Sequence, residues 1–147
     1  MIDIKISKIL VGIDGSRESI EAAGYAIDIA RKEDAELIAL TALKLPSFFG
    51  WSAIEPPNEW QNKDRMEIQS WHNQIISTAE KNNIKLKTEI IESPMSIEGS
   101  IVSYAEKEHV NLIVIGTRGR TGFAKQLLGS VALGVVPYSH CNVLIIK

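Results

Sequence analysis

Short apolar runs alternate with amphipathic stretches along most of this chain. Apolar runs at residues 9–13 and 112–115 are typical of strands buried on both faces of a parallel sheet. Between the runs, apolar residues recur every three or four positions, as they do on the buried face of a helix. The pattern predicts strands at residues 9–13, 35–43, 85–91, 111–115 and 143–146, and helices at 16–32, 58–82, 94–108 and from about 130.

Strands and helices alternate strictly in this order, which indicates an α/β fold built on a parallel sheet. Right-handed crossovers would then place helices on both faces of the sheet. Residues 44–58 contain Pro46, Pro56 and Pro57, which disfavour regular structure, so we expect a long loop there. We expect residues 1–147 to form one domain.

Composition narrows the possible partners. The net charge of −2 and the pI of about 5.9 disfavour a protein that binds the nucleic-acid backbone, which requires a basic surface. The single cysteine, Cys141, excludes an intrachain disulfide and suits a reducing compartment. Neither a signal peptide nor an apolar run of membrane-spanning length is evident in the sequence. We therefore expect a cytoplasmic protein with no nucleic-acid or membrane partner.

A spaced set of glycines separates the fourth predicted strand from the last helix: Gly116, Gly119 and Gly129, followed by Ser130. Glycine is favoured where the backbone bends with positive φ or lies against a ligand. The exposed backbone N–H groups of such a turn, together with the helix dipole, attract an anion. The spacing therefore predicts a phosphate-binding turn, although a tight turn with close helix packing and no ligand would use the same glycines.

A second turn, Asp14-Gly15-Ser16, follows the first predicted strand. Ser16 is a good N-cap for the helix that comes next. Asp14 could contact a ligand, but a carboxylate before a helix N-terminus is also stabilising by itself. Both interpretations of Asp14 remain open from the sequence alone.

Residues 9–16, 112–130 and 141–146 together resemble the universal stress protein family, specifically its ATP-binding branch. The resemblance implies a doubly wound, Rossmann-like sheet of the adenine nucleotide alpha hydrolase type, with strand order 3-2-1-4-5. In such sheets, ligands bind beyond the carboxyl ends of the strands where the order reverses. That point lies between the first and fourth strands, so the two glycine-containing turns would meet at one crevice.

The resemblance also implies roles for individual residues. Asp14, with Gly15 and Ser16 in the same turn, would lie beside the adenosine. Ala42 would reach adenine through its backbone groups, and Gly116 would lie near the ribose. Mg2+ would bridge the phosphates. The residues that hold the phosphates would be Gly119, Gly129, Ser130 and, through its amide, Val131. Arg118, Arg120 and Lys125 would add positive charge nearby.

The sequence carries elements for binding a nucleotide and lacks known elements for reacting with one. It contains no P-loop lysine motif, no Ser-Gly-Gly-x-Asp-Ser loop and no His-x-Gly-His element. The leading interpretation is a nucleotide-binding regulatory protein of the stress response, in which hydrolysis is slow or incidental. The alternatives are a protein-interaction module with an empty pocket and an enzyme that acts on ATP, either a slow hydrolase or a phosphotransferase.

Two further expectations concern the final strand and the histidines. Residues 143–146 are apolar on both faces and would form an edge strand, which invites pairing with a second copy in a homodimer.

His72 falls on a mostly polar helix face, and His109 falls in a turn. Neither has a metal-like partner nearby in the sequence, so both are interpreted as structural or solvated residues.

Overall fold

Five strands and four helices alternate in the structure, a computed structural model that describes residues 4–45, 58–117 and 128–147, without the side chains of residues 58–63. The nine elements correspond one to one to those predicted. Their ends agree to within two residues, except that the third helix begins at Ile97, three residues later than predicted. In chain order they are β1 Lys8–Gly12, α1 Arg17–Glu33, β2 Glu36–Lys44, α2 Asn58–Lys81, β3 Leu86–Ser93, α3 Ile97–Lys107, β4 Leu112–Gly116, α4 Ser130–Tyr138 and β5 Asn142–Ile146.

The strands form one parallel sheet in the order β3-β2-β1-β4-β5, which confirms the predicted fold. β1 is the central strand, and Ile9, Leu10 and Val11 are fully buried. β3 continues two residues beyond its predicted end because it remains paired with β2 as far as Lys44 and Ser93. Such completely buried strands require helices on both faces.

The helices divide into two layers, one on each face of the sheet. α1 and α2 cover the face that carries Ile9 and Val11. α3 and α4 cover the opposite face, which carries Leu10 and Ile113. Small residues on the inner side of α1 let it lie close to the strands, and this places its first turn against the end of β4.

The predicted N-cap of α1 is confirmed. The Ser16 side chain accepts a hydrogen bond from the Ser19 backbone N–H at 3.1 Å. The expectation that His72 lies on a polar helix face is wrong, because its side chain is only 1% exposed and faces β2. Periodicity failed at this position because a buried polar partner on another element offsets the cost of burying the imidazole.

Most of the predicted loop at residues 44–58 lies outside the described residues. Among the helices that the structure describes, none is long and apolar enough to cross a membrane.

Candidate functional site

The strand order reverses beside β1, because β2 lies on one side of it and β4 on the other. α1, which follows β1, and α4, which follows β4, lie on opposite faces of the sheet. In sheets of this kind a ligand crevice forms at the switch point, between the carboxyl ends of the two strands. The turn after β1, the end of β2 and the end of β4 all meet at this edge. The described residues predicted for a ligand site therefore fall on these neighbouring strand ends or at the start of α4.

The turn after β1 is held by its own polar groups. Asp14 accepts a hydrogen bond from the Ser16 backbone N–H on its Oδ1 atom, at 2.9 Å. The Ser19 hydroxyl donates to the Ser16 carbonyl at 2.9 Å and accepts from the Asp14 backbone N–H at 3.3 Å. Asp14 therefore has a structural role in the turn, and a ligand contact would add to it. Sequence reasoning did not single out Ser19.

Gly15 adopts a φ of +81°, the left-handed conformation that glycine accommodates without strain. The indole of Trp71, on α2, packs directly over Gly15, and a side-chain carbon at Gly15 would collide with the ring. α2 thus covers the turn that opens the site. Both observations explain why this position is a glycine.

Gly116 ends β4 and lies against the first turn of α1. A Cβ atom at Gly116 would stand 2.9 Å from the Glu18 Cβ and 3.0 Å from the Glu18 carbonyl carbon. The second contact is with backbone, which cannot move aside cheaply. The missing side chain at Gly116 thus allows the N-terminus of α1 to sit beside the end of β4.

The N-terminus of α4 is held at the same strand end. The Gly129 backbone N–H donates to the Thr117 carbonyl, and the Thr117 N–H donates to the Ile146 carbonyl at 2.9 Å. Gly129 is the N-cap of α4 and provides no side-chain hydrogen bond to the first turn, which contains Ser130 and Val131. α1 and α3, in contrast, are capped by Ser16 and Ser96, whose hydroxyls accept hydrogen bonds from their own helices.

The carboxyl end of β2 supplies a backbone edge, that is, peptide N–H and C=O groups on the side of β1. The Ile13 N–H donates to the Leu40 carbonyl at 2.8 Å, so Leu40 turns its peptide groups toward β1. Alternate residues of a strand point their backbone groups to the same side, and Ala42 therefore faces the same way as Leu40. β1 ends at Gly12, opposite Leu40, so the N–H and C=O of Ala42 face the crevice rather than a neighbouring strand.

A buried polar contact lies directly behind this edge. The Thr41 hydroxyl donates to the Ile13 carbonyl at 2.8 Å and lies 2.8 Å from Nε2 of His72. Burial lowers the pKa of His72 below its ordinary value of 6.5, because the charged imidazolium would lose its hydration. Sequence reasoning did not find this contact. The available signal was Thr41 itself, whose hydroxyl interrupts the apolar run at residues 37–43 of β2.

The predicted site residues fall into two groups. The described ones, Asp14, Gly15, Ser16, Ala42, Gly116, Gly129, Ser130 and Val131, lie on the turn after β1, the end of β2, the end of β4 and the start of α4. Arg118 and Gly119, with Arg120 and Lys125, lie outside the described residues.

Known proteins share the sequence pattern and the fold of this chain. The sequence profile of the universal stress protein family matches residues 5–147. The chain belongs to the universal stress protein family. Universal stress protein MJ0531 of Methanocaldococcus jannaschii is 38% identical over 143 residues, which cover 95% of this chain and 81% of that protein. Universal stress protein YxiE of Bacillus subtilis is 30% identical over 148 residues, covering 96% of this chain and 99% of the relative.

A solved structure of the family shares the complete fold. Universal stress protein UspA from Lactobacillus plantarum superimposes with a TM-score of 0.87 at 26% identity, over 99% of this chain and 100% of that one. The resemblance that the sequence suggested is therefore confirmed at the level of family and fold.

Proposed function

We propose that this protein is a nucleotide-binding regulatory protein that holds ATP at the carboxyl ends of β1, β2 and β4. The observation that carries the proposal is the position of α4. The bond between Gly129 and Thr117 holds the N-terminus of this helix at the end of β4, and no side chain of the N-cap residue occupies its first turn. Backbone N–H groups in that position and the positive end of the helix dipole attract phosphate.

Adenine recognition is supported by the backbone edge of Ala42. The edge of an adenine base presents acceptor and donor atoms side by side. An N–H and a C=O of one residue, both facing the crevice, complement that pattern. Asp14 would add a carboxylate for the ribose or the base from the adjoining strand end.

Proteins of the same fold have been solved with adenine nucleotides. One is a universal stress protein in complex with cAMP, which is 24% identical to this chain with a TM-score of 0.72. Another, from Archaeoglobus fulgidus in complex with dAMP, is 19% identical with a TM-score of 0.69. A family protein from Arabidopsis thaliana was solved with AMP bound, at 13% identity and a TM-score of 0.69. At such identities only the fold is shared, but these ligands support an adenine nucleotide as the class to test first.

The choice of ATP rests on the glycine pattern, which resembles that of the ATP-binding branch at all four of its positions: Gly116, Gly119, Gly129 and Ser130. Mg2+ would be bound chiefly by the phosphates. The described residues hold no group of three or more His, Cys, Asp or Glu side chains suited to a metal ion. The absence of P-loop and related motifs from the sequence favours slow or incidental hydrolysis.

The direct test is to release and identify the small molecules that copurify with freshly isolated protein, and then to titrate the stripped protein with ATP and AMP by calorimetry. We expect ATP to bind, with turnover no greater than stoichiometric. Sustained multiple turnover would instead establish the hydrolase alternative. Failure to bind either nucleotide would favour the interaction module with an empty pocket.

Gly129→Val tests the placement of the phosphates. A branched side chain at the N-cap of α4 would block close approach to the first-turn amides, so we expect ATP binding to be abolished while the fold survives. Gly24→Val is the matched control, since Gly24 lies on α1 with open space where its side chain would stand. Equal ATP affinity in Gly129→Val and Gly24→Val would contradict the assignment.

A further inference from the structure

The buried contact between Thr41 and His72 has no part in the function proposed above. We propose that Thr41, held by His72, keeps the backbone N–H of Ala42 available to the base of the bound nucleotide. Thr41 and His72 would then be positioning residues of the adenine subsite. This inference rests on the proposed function, and its test is separable from it.

The argument begins with the ladder between β1 and β2. In a parallel pair, each bonded residue of one strand donates to one residue of its neighbour and accepts from the residue two positions further on. Ile13 donates its N–H to the Leu40 carbonyl at 2.8 Å. A regular ladder would therefore continue with the Ala42 N–H donating to the Ile13 carbonyl.

The Thr41 hydroxyl, rather than the Ala42 N–H, is the donor to the Ile13 carbonyl. It donates to the Ile13 carbonyl at 2.8 Å, and Ile13 to Leu40 is the last backbone hydrogen bond between these two segments among the described residues. The Ile13 carbonyl is thus satisfied by a side chain. The Ala42 N–H faces the crevice at the point where the chain of β1 turns away through Asp14 and Gly15.

His72 fixes the direction of the Thr41 hydroxyl. A hydroxyl has one proton, and that of Thr41 points to the Ile13 carbonyl, which can only accept. The contact of 2.8 Å between Thr41 Oγ1 and His72 Nε2 therefore requires a proton on Nε2. Thr41 and His72 are 2% and 1% exposed, so no bulk water competes for these groups.

Without the hydroxyl, the Ile13 carbonyl would lack this side-chain donor. A carbonyl buried without a partner is costly, and the nearest candidate donor along the ladder is the Ala42 N–H. We therefore expect Thr41→Val, which keeps the side-chain shape, to draw the Ala42 amide into the ladder. A base would then have to displace that bond before it could bind.

The experiment uses the full chain and two ligands that differ only in the base, AMP and ribose 5-phosphate, followed by NMR titration. In Thr41→Val we expect AMP to bind roughly tenfold more weakly, about the effect of one hydrogen bond, with ribose 5-phosphate unchanged. Thr41→Ser keeps the hydroxyl and should bind AMP nearly as the parent does. His72→Gln, whose amide can replace Nε2–H, should also retain binding, whereas His72→Leu should weaken AMP binding by no more than Thr41→Val does.

Amide hydrogen exchange at Ala42 provides a readout that needs no ligand. In the unliganded parent we expect this amide to exchange faster than the Leu40 amide, and in Thr41→Val to become protected. Comparable protection of the two amides in the parent would overturn the inference. So would an equal loss of AMP and ribose 5-phosphate binding in Thr41→Val, since that would indicate a general structural role.

The two proposals fail in different ways. If the parent binds AMP and Thr41→Val binds it equally well, the positioning role is wrong and the nucleotide site stands. If the parent binds neither AMP nor ATP, the proposed function is wrong, and the exchange rate of the Ala42 amide still decides whether Thr41 holds the Ile13 carbonyl.

Discussion

Two glycines at the carboxyl edge of the sheet are required by packing whether or not a ligand binds. Gly15 combines a positive φ with the indole of Trp71 above it, and Gly116 accommodates the backbone of Glu18. Replacing either one would disturb the fold and the site together. Gly129 has an ordinary φ of −71°, so its backbone conformation does not demand glycine.

Asp14 also has a structural role, and its two roles can be separated. We expect Asp14→Ala to weaken ATP binding about tenfold or more, the effect of losing one hydrogen bond to a charged group. The same change should destabilise the fold by about 1 kcal/mol, because the Ser16 N–H loses its acceptor.

Calorimetry and urea unfolding measure these two effects for Asp14→Ala. Asp14→Asn is the matched control, since its side-chain oxygen can still accept from Ser16 while the charge is gone. We expect near-parental stability and weakened ATP binding in this variant. An unchanged dissociation constant in Asp14→Ala would leave only the role in the turn.

The buried imidazole of His72 makes stability depend on pH. Its pKa is lowered in the folded protein, so between that value and the ordinary 6.5 the unfolded chain binds more protons than the native one. The stability that the neutral imidazole contributes to the fold is fully present above pH 6.5. It is lost as the pH falls through 6.5 toward the pKa of His72 in the folded protein.

Urea unfolding at several pH values between about 5 and 8 tests this dependence. We expect the free energy of unfolding to rise with pH in the lower part of that range, and the slope to be smaller in His72→Gln. His109 and His140 are exposed and unchanged between the two proteins, so they cancel in the comparison. Identical slopes would show that His72 does not titrate differently on folding.

At the scale of elements, the sequence was sufficient wherever the signal is local. Runs such as Ile9 to Val11 alternate with helical periodicity, and Ser16 is recognisable as an N-cap, so the strands and helices could be placed to within three residues. The order of the strands came from the family resemblance rather than from periodicity. The glycine pattern after β4 could be recognised because its residues are close together in the chain, and its role in binding phosphate stays a prediction.

The parts of the site that could not be predicted depend on contacts between distant segments. Trp71 covers Gly15 from another element, and His72 bonds Thr41 across 31 positions of sequence. Neither partner has a local pattern that identifies the other. In both cases α2 supplies the distant residue, so this helix contributes more to the crevice than its mostly polar sequence suggests.

At the scale of the whole molecule, the sheet has an apolar edge that is open in the described chain. β5 pairs with β4 through the backbone groups of Ile146, since the Thr117 N–H donates to the Ile146 carbonyl. By alternation, Val143 and Ile145 point their backbone groups away from the sheet. Leu133, on the adjacent α4, is 57% exposed, so apolar surface continues beyond the strand.

We therefore propose that two copies pair through β5 about a twofold axis. Ile145→Pro removes an outward-facing N–H and leaves the bonds from Ile146 to β4 in place, so we expect folded monomers where the parent is a dimer. Light scattering at micromolar concentration measures the difference, and Ile145→Val, which keeps the N–H, should remain dimeric.

Met66→Glu places a charge on an exposed apolar residue of α2 and should leave the dimer intact, whereas Leu133→Glu should weaken it. A monomeric parent, or an Ile145→Pro variant that stays dimeric, would mean that this edge is not the site of association.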